Sequence, residues 1–202
     1  MSKRRYCPEC EYPQTACLCA SIVPIASRIQ LVVLQHPAEA DHAKNSVRLL
    51  SKVVPSCQVF VGETAQEFAS ARQYLQQQAG PVLLVYPSEN SLGVESLPLA
   101  MPASTTLVLL DGTWRKALKM IKLNPWLSAL PAVHLGDDYQ GRYRIRKAKR
   151  SDSLSTLEAA AYTAAALDPT MDIQPILTAF DAMVERQIAA MPAEVRARYQ
   201  IK

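Results

Sequence analysis

Asp111-Gly112-Thr113-Trp114 places a carboxylate, a glycine, a hydroxyl and a large aromatic in consecutive positions. The tetrapeptide follows the apolar run 105–110, which reads as a buried strand, and precedes 115–121, where Ala117, Leu118 and Ile121 recur at helical spacing. Open α/β sheets bind ligands at the carboxyl ends of their strands, so this is a candidate ligand turn. Gly112 lets the backbone turn tightly. Thr113 suits a helix cap that leaves amide N–H groups pointing at a ligand. Trp114 is a flat surface on which a purine or uracil can stack. The same residues also suit a plain helix start followed by a core Trp, and residue types alone leave both readings open.

A second chemistry lies in the cysteines. Cys7, Cys10, Cys17 and Cys19 form a CxxC and a CxC separated by a short loop, with Pro8 and Pro13 favouring turns. Such a set matches tetrahedral zinc. The segment is too short to build its own core, so a metal would supply its folding energy. Disulfides rarely persist in cytosol, and the CxxxCxxC spacing of radical iron–sulfur enzymes is absent. Structural zinc is the expected cofactor. Cys57 stands apart and reads as a small buried hydrophobe.

A third feature is charge. The chain has 202 residues, a formal net charge of +4 and a pI near 8.8. Arg142, Arg144, Arg146, Lys147, Lys149 and Arg150 fall together without an acid among them, and Tyr139 and Tyr143 lie beside or within the run. Cations neutralise phosphates and aromatics stack on bases, so the run is a candidate RNA contact strip. If it is a strand, Arg142, Arg144 and Arg146 share a face. A solvated loop or edge strand is the alternative.

Around these residues the pattern predicts strands at 28–34, 57–61, 81–86, 105–110 and 132–135. Helices are predicted at 41–53, 64–78, 155–167 and 174–191. Thr64 and Glu67 have capping-box spacing, as do Ser155 and Glu158. The loop between the third and fourth strands is rich in Pro and Ser. Alternating strands and helices imply an α/β fold, a mainly parallel sheet with helices on both faces. A 49% hydrophobic composition supports a sizeable core. No apolar run is long enough for a membrane span and no secretory signal is visible, so a cytoplasmic location is expected. Three parts are expected: a four-cysteine segment (1–22), a catalytic domain (23–191) and a polar tail (192–202).

The Asp111-x-Thr113-Trp114 signature after an apolar strand resembles the DTW domain, a family that contains tRNA-uridine aminocarboxypropyltransferases. The resemblance runs from Cys7 to about Ala165. It also rests on the cysteine cluster, His36-Pro37, Lys44-Asn45-Ser46, Tyr86-Pro87, Tyr143-Arg144 and Ser155-Thr156-Leu157-Glu158-Ala159, in the family's order. It implies a bacterial-type member with a SPOUT-like fold and a C-terminal trefoil knot around S-adenosylmethionine. The implied reaction moves the 3-amino-3-carboxypropyl group of that cofactor to N3 of a tRNA uridine in the variable loop, leaving 5′-methylthioadenosine.

By the same resemblance, Asp111 is either a base for the N3 proton or a clamp on the cofactor's α-amino group. Tyr86, Pro87, Gly112, Thr113, Trp114, Leu154, Ser155, Thr156 and Glu158 are implied at the cofactor. His36, Lys44 and Asn45 are implied to contact RNA, alongside Arg142, Tyr143, Arg144, Arg146 and Lys147 of the basic strip. A monomer is expected. Two other functions fit parts of the pattern: a SPOUT-type RNA methyltransferase, and a non-catalytic zinc-bearing RNA-binding module.

Overall fold

The computed structural model describes residues 5–42, 45–98, 101–139, 141–142 and 154–197. Strands β1 (Gln30–Gln35), β2 (Gln58–Val61), β3 (Val82–Val85), β4 (Leu92–Gly93), β5 (Thr106–Asp111) and β6 (Ala132–His134) form one sheet in the order β2-β1-β5-β3-β6-β4. Every pairing is parallel. β1 and β3 flank the central β5, and the chain winds outward to β2 on one side and to β6 and β4 on the other. That reversal opens a crevice at the carboxyl edge beside β5.

Side chains alternate across the sheet and divide the core in two. Leu31, Val33, Leu83, Leu107, Leu109 and Val133 pack into one apolar cluster. It includes residues of α2 (Ser46–Val53), α6 (Thr156–Leu167), α7 (Gln174–Ala189) and the cysteine segment. Val32, Leu34, Leu84 and Val108 form the opposite cluster with Phe68, with Ala71 and Leu75 of α3 (Ala69–Gln76), and with Met120 of α4 (Trp114–Leu123). Helices thus cover both faces, as the near-continuous apolar strands require.

Several boundaries differ from expectation. The helix predicted at 41–53 begins at Ser46, because the Asn45 side chain caps it by accepting from the Arg48 amide. The preceding turn α1 (Pro37–Ala40) starts with a proline and ends at Asp41. Thr64 and Glu67 do make their reciprocal bonds, yet the regular helix starts at Ala69. β4 lies inside the stretch read as loop. The short α5 (Pro125–Ser128) and, in the polar tail, α8 (Ala193–Ala197) were also not anticipated. Among the described residues no helix is long and apolar enough to cross a membrane. The knot implied by the resemblance involves the C-terminal chain, in which residues 143–153 lie outside those described.

Candidate active site and cysteine centre

The parallel register sets Gln35 directly beside Asp111, at the carboxyl ends of β1 and β5. Paired residues point to the same face, so the two polar groups meet. Gln35 Nε2 donates to Asp111 Oδ2 at 2.8 Å. The other carboxylate oxygen, Oδ1, accepts from Thr156 Oγ1 at 2.6 Å. Asp111 is therefore held as a fixed negative charge between two strands and the first residue of α6. Gln35 is itself anchored, with Nε2 3.3 Å from Asn45 Oδ1.

Beyond Asp111 the chain turns and α4 begins. Thr113 Oγ1 accepts from the Lys116 amide, as a cap should. A Cβ on Gly112 would sit 3.1 Å from Lys116 Cβ and 3.6 Å from His36 Cβ, so the turn is crowded by its neighbours. Trp114 is 54% exposed, which excludes the core-Trp reading. Its ring lies 5.9 Å from that of Tyr86, tilted by 59°.

α6 opens on the same side. Ser155 Oγ accepts from the Glu158 amide, and Glu158 Oε2 accepts from the Ser155 amide at 2.7 Å, a complete capping box. Glu158 does more than cap. It is fully buried, and its other oxygen accepts from the Arg142 amide. The carboxylate therefore fixes the backbone at two places.

These ends enclose a cavity of about 330 Å³. Tyr86 and Pro87 come from the end of β3, Gly112 and Trp114 from the Asp111 turn, and Leu154, Ser155 and Thr156 from the start of α6. The end of β6 and the segment after it supply His134, Leu135, Gly136, Asp137 and Tyr139; the sequence noted Tyr139 only beside the basic strip and singled out none of the other four. Their position at a strand's carboxyl end was the signal that could have found them. Asp111 does not line the cavity; it stands behind Thr156. Among the described residues the lining contains Asp137 but no Lys or Arg. Glu95 lies close by, since a Cβ on Gly136 would be 3.4 Å from Glu95 Oε1. The hydroxyls of Tyr86 and Tyr139 are both pushed above their ordinary pKa by burial, with Glu95 and Asp138 adding to the effect on Tyr139. The described part of the lining is mainly apolar with an acidic bias, around a volume suited to a small ligand.

The residues expected at RNA separate. His36 follows β1 and caps α1, but it does not line the cavity. Its Nδ1 accepts from the Ala38 amide, so Nε2 carries the proton and donates to Glu63 Oε1 at 3.0 Å. Glu63 also takes Lys119 Nζ at 2.8 Å. Asn45 serves the Asp111 network and caps α2. Arg142 Nη1 pairs with Asp181 on α7 at 2.8 Å. Lys44, Tyr143, Arg144, Arg146 and Lys147 lie outside the described residues.

At the amino terminus the sulfurs of Cys7, Cys10, Cys17 and Cys19 all lie within 4.8 Å of one another. Cys7 and Cys19 are 3.6 Å apart, and Cys10 and Cys17 are 3.8 Å apart. Those gaps are too long for disulfides. They match the spacing of about 3.8 Å that a tetrahedron with 2.3 Å metal–sulfur bonds requires. The cluster can therefore hold a metal ion. Backbone N–H groups of Cys10 and Glu9 lower the Cys7 thiol to about 6, whereas hydrogen bonds with Cys17 and Cys7 raise Cys19 to about 12. A bound cation would favour the thiolate at all four positions. Glu11 adopts a left-handed φ of 60° to complete the first turn.

Tyr12 docks this segment. It is 2% exposed, and its hydroxyl donates to the Asn45 carbonyl at 2.6 Å. One chain of contacts thus runs from the cysteine knuckle through Tyr12, Asn45 and Gln35 to Asp111.

A family model described as the DTW domain matches residues 4–188, nearly the whole chain. The chain belongs to the DTW domain family. The DTW chain is 29% identical over 180 residues to tRNA-uridine aminocarboxypropyltransferase 2 of Macaca fascicularis, covering 87% of this chain and 60% of that protein. It is 31% identical over 184 residues to the protein of the same name from Drosophila melanogaster, covering 87% of this chain and 72% of that one. It is 23% identical over 197 residues to tRNA-uridine aminocarboxypropyltransferase A of Arabidopsis thaliana, covering 83% and 74% respectively. The DTW chain thus spans less than two thirds of the length of the mammalian relatives.

Proposed function

We propose that this protein transfers the 3-amino-3-carboxypropyl group of S-adenosylmethionine to N3 of a tRNA uridine. The observation that carries the reading is the cavity between the Asp111–Trp114 turn and the start of α6, in a DTW chain whose relatives are named tRNA-uridine aminocarboxypropyltransferases. The pocket suits the donor. Its apolar walls and Tyr86 fit an adenine, and its acidic bias fits a sulfonium and an ammonium group.

S-Adenosylmethionine supplies a γ-methylene made electrophilic by the adjacent sulfonium. The protein's task is to aim that carbon, and not the methyl, at the uridine nitrogen. Thr156 and Asp111 serve this together. The Thr156 hydroxyl spends its hydrogen on Asp111, so it turns only lone pairs toward the cavity. It therefore accepts a donor there, either the ammonium group or the N3–H. Asp111 is a positioning residue that acts through Thr156 and adds a fixed negative charge behind it. Glu158, buried and accepting one amide on each carboxylate oxygen, holds the loop backbone in place. The four cysteines are read as a structural zinc centre, because four thiolates leave no open coordination position.

Unmodified tRNA incubated with the protein and S-adenosylmethionine tests the reaction by nucleoside mass spectrometry. The expected product is an aminocarboxypropyl-uridine with one methylthioadenosine released per modification. A methylated nucleoside, or no modification across total tRNA, overturns the reading.

A further inference from the structure

Helix α4 has two unlike sides. Ala117 and Met120 face inward and are buried. Arg115, Lys119 and Lys122 are exposed, and their i, i+4, i+7 spacing stacks them along one face. At 1.5 Å rise per residue that row is about 10 Å long. No acid occurs in the helix. Lys119 is bound to Glu63 yet remains 59% exposed, while Arg115 and Lys122 form no ion pair among the described residues.

Cations alone would suit a solvated helix. The apolar groups beside them would not. Trp114 is 54% exposed at the head of the row, and Leu118, one turn along, is 44% exposed. A Trp left open to water beside cations is what a partner presenting both phosphates and flat bases would cover. Trp114 also lines the cavity, whose lining among the described residues has no Lys or Arg. Among the described residues charge is thus segregated, with Asp137 in the cavity lining and a basic helix leading to the mouth.

We infer that the outer face of α4 is a tRNA-docking surface, on which Arg115, Lys119 and Lys122 meet backbone phosphates and Trp114 stacks on a base at the cavity mouth. The inference rests on the tRNA reading above and assigns contacts to residues other than those of the basic run 142–150 in the sequence.

The test is the double variant Arg115→Ala/Lys122→Ala, because both side chains are exposed and neither is ion-paired among the described residues. Equilibrium tRNA binding is measured across a salt series, alongside S-adenosylmethionine affinity and thermal melting. Loss of two phosphate contacts should weaken tRNA binding roughly tenfold at low salt and reduce the log–log salt slope by about 1.4 to 1.8. Cofactor affinity and melting temperature should not change. Arg115→Glu/Lys122→Glu should weaken binding further. If wild type binds and modifies tRNA and the variants bind it with the same affinity and slope, this surface is wrong while the reaction stands. If S-adenosylmethionine affinity falls in parallel, the effect is on the cavity and the docking surface is again overturned. If wild type neither binds nor modifies tRNA, both readings fall together.

Discussion

At the scale of single residues, the shared hydrogen between Thr156 and Asp111 is the most consequential contact. Thr156→Val removes the hydroxyl while keeping the side-chain shape. It should lower aminocarboxypropyl transfer about a hundredfold, within the range seen when one preorganised polar group is lost from a site. Thr156→Ser should retain most activity, since it keeps the hydroxyl. Asp111→Asn should lower transfer comparably, because it loses the charge and offers one acceptor where Thr156 and Gln35 both donate. Turnover with saturating tRNA checks all three, and wild-type turnover in Thr156→Val would remove the hydroxyl from the mechanism. Asp111 was legible in the sequence because an acid closing an apolar strand before a Gly-Thr turn is a local pattern. Gln35 was not, because its importance lies in a register between strands far apart in the chain.

At the scale of elements, the cysteine segment behaves as a clamp on α2 and α7. Tyr12 reaches both the Asn45 carbonyl and Met183 Sδ, and Arg48 lies over its ring at 5.5 Å. Purified protein should carry one zinc per chain by metal analysis, and Cys10→Ser should lose it and melt at a markedly lower temperature. Tyr12→Phe should keep the metal and cost about 1 kcal/mol, the net worth of one buried hydrogen bond, by denaturant titration. Metal-free wild type with an unchanged melting temperature would show that the segment folds without an ion. The CxxC and CxC spacing announced the cluster. Its docking by a tyrosine to a carbonyl at Asn45 was invisible, since a backbone acceptor carries no residue-type signature.

At the scale of the whole molecule, several acids sit among donors that favour their charged forms, and two of them, Glu63 and Glu11, tie distant parts of the chain together. Lys119, and then His36, hold Glu63 below the ordinary carboxylate range, linking the chain after β2 to α4 and to the start of α1. Amides and the hydroxyl of the Thr64 turn lower Glu67; Lys52, and to a smaller extent Arg48, lower Glu11; and Thr170 lowers Asp168. A depressed folded pKa gives stability that is present above the unfolded values of 4.5 for Glu and 3.8 for Asp, and that disappears as pH falls through the lower folded values. As far as these groups govern it, the melting temperature should be level from neutrality down to about pH 5 and fall below about pH 4. Glu63→Gln should flatten part of that acid slope, and an unchanged slope by calorimetry at several pH values would remove Glu63 from the account.

The sequence by itself determined the α/β class, the strands of the sheet other than β4, the cysteine set and the turn at Asp111. Each follows from apolar periodicity, ligand spacing or turn chemistry within a few neighbouring residues. The family signature was likewise a matter of residue types in order. Tertiary structure decided which of those residues work together. It put Asp111 behind Thr156 instead of in the cavity wall, turned His36 toward Glu63, and added the segment after β6 to the pocket. It also left Trp114 exposed beside a cationic helix face. These outcomes depend on strand order and register, which are set by packing across the whole sheet, and no local window of sequence contains them.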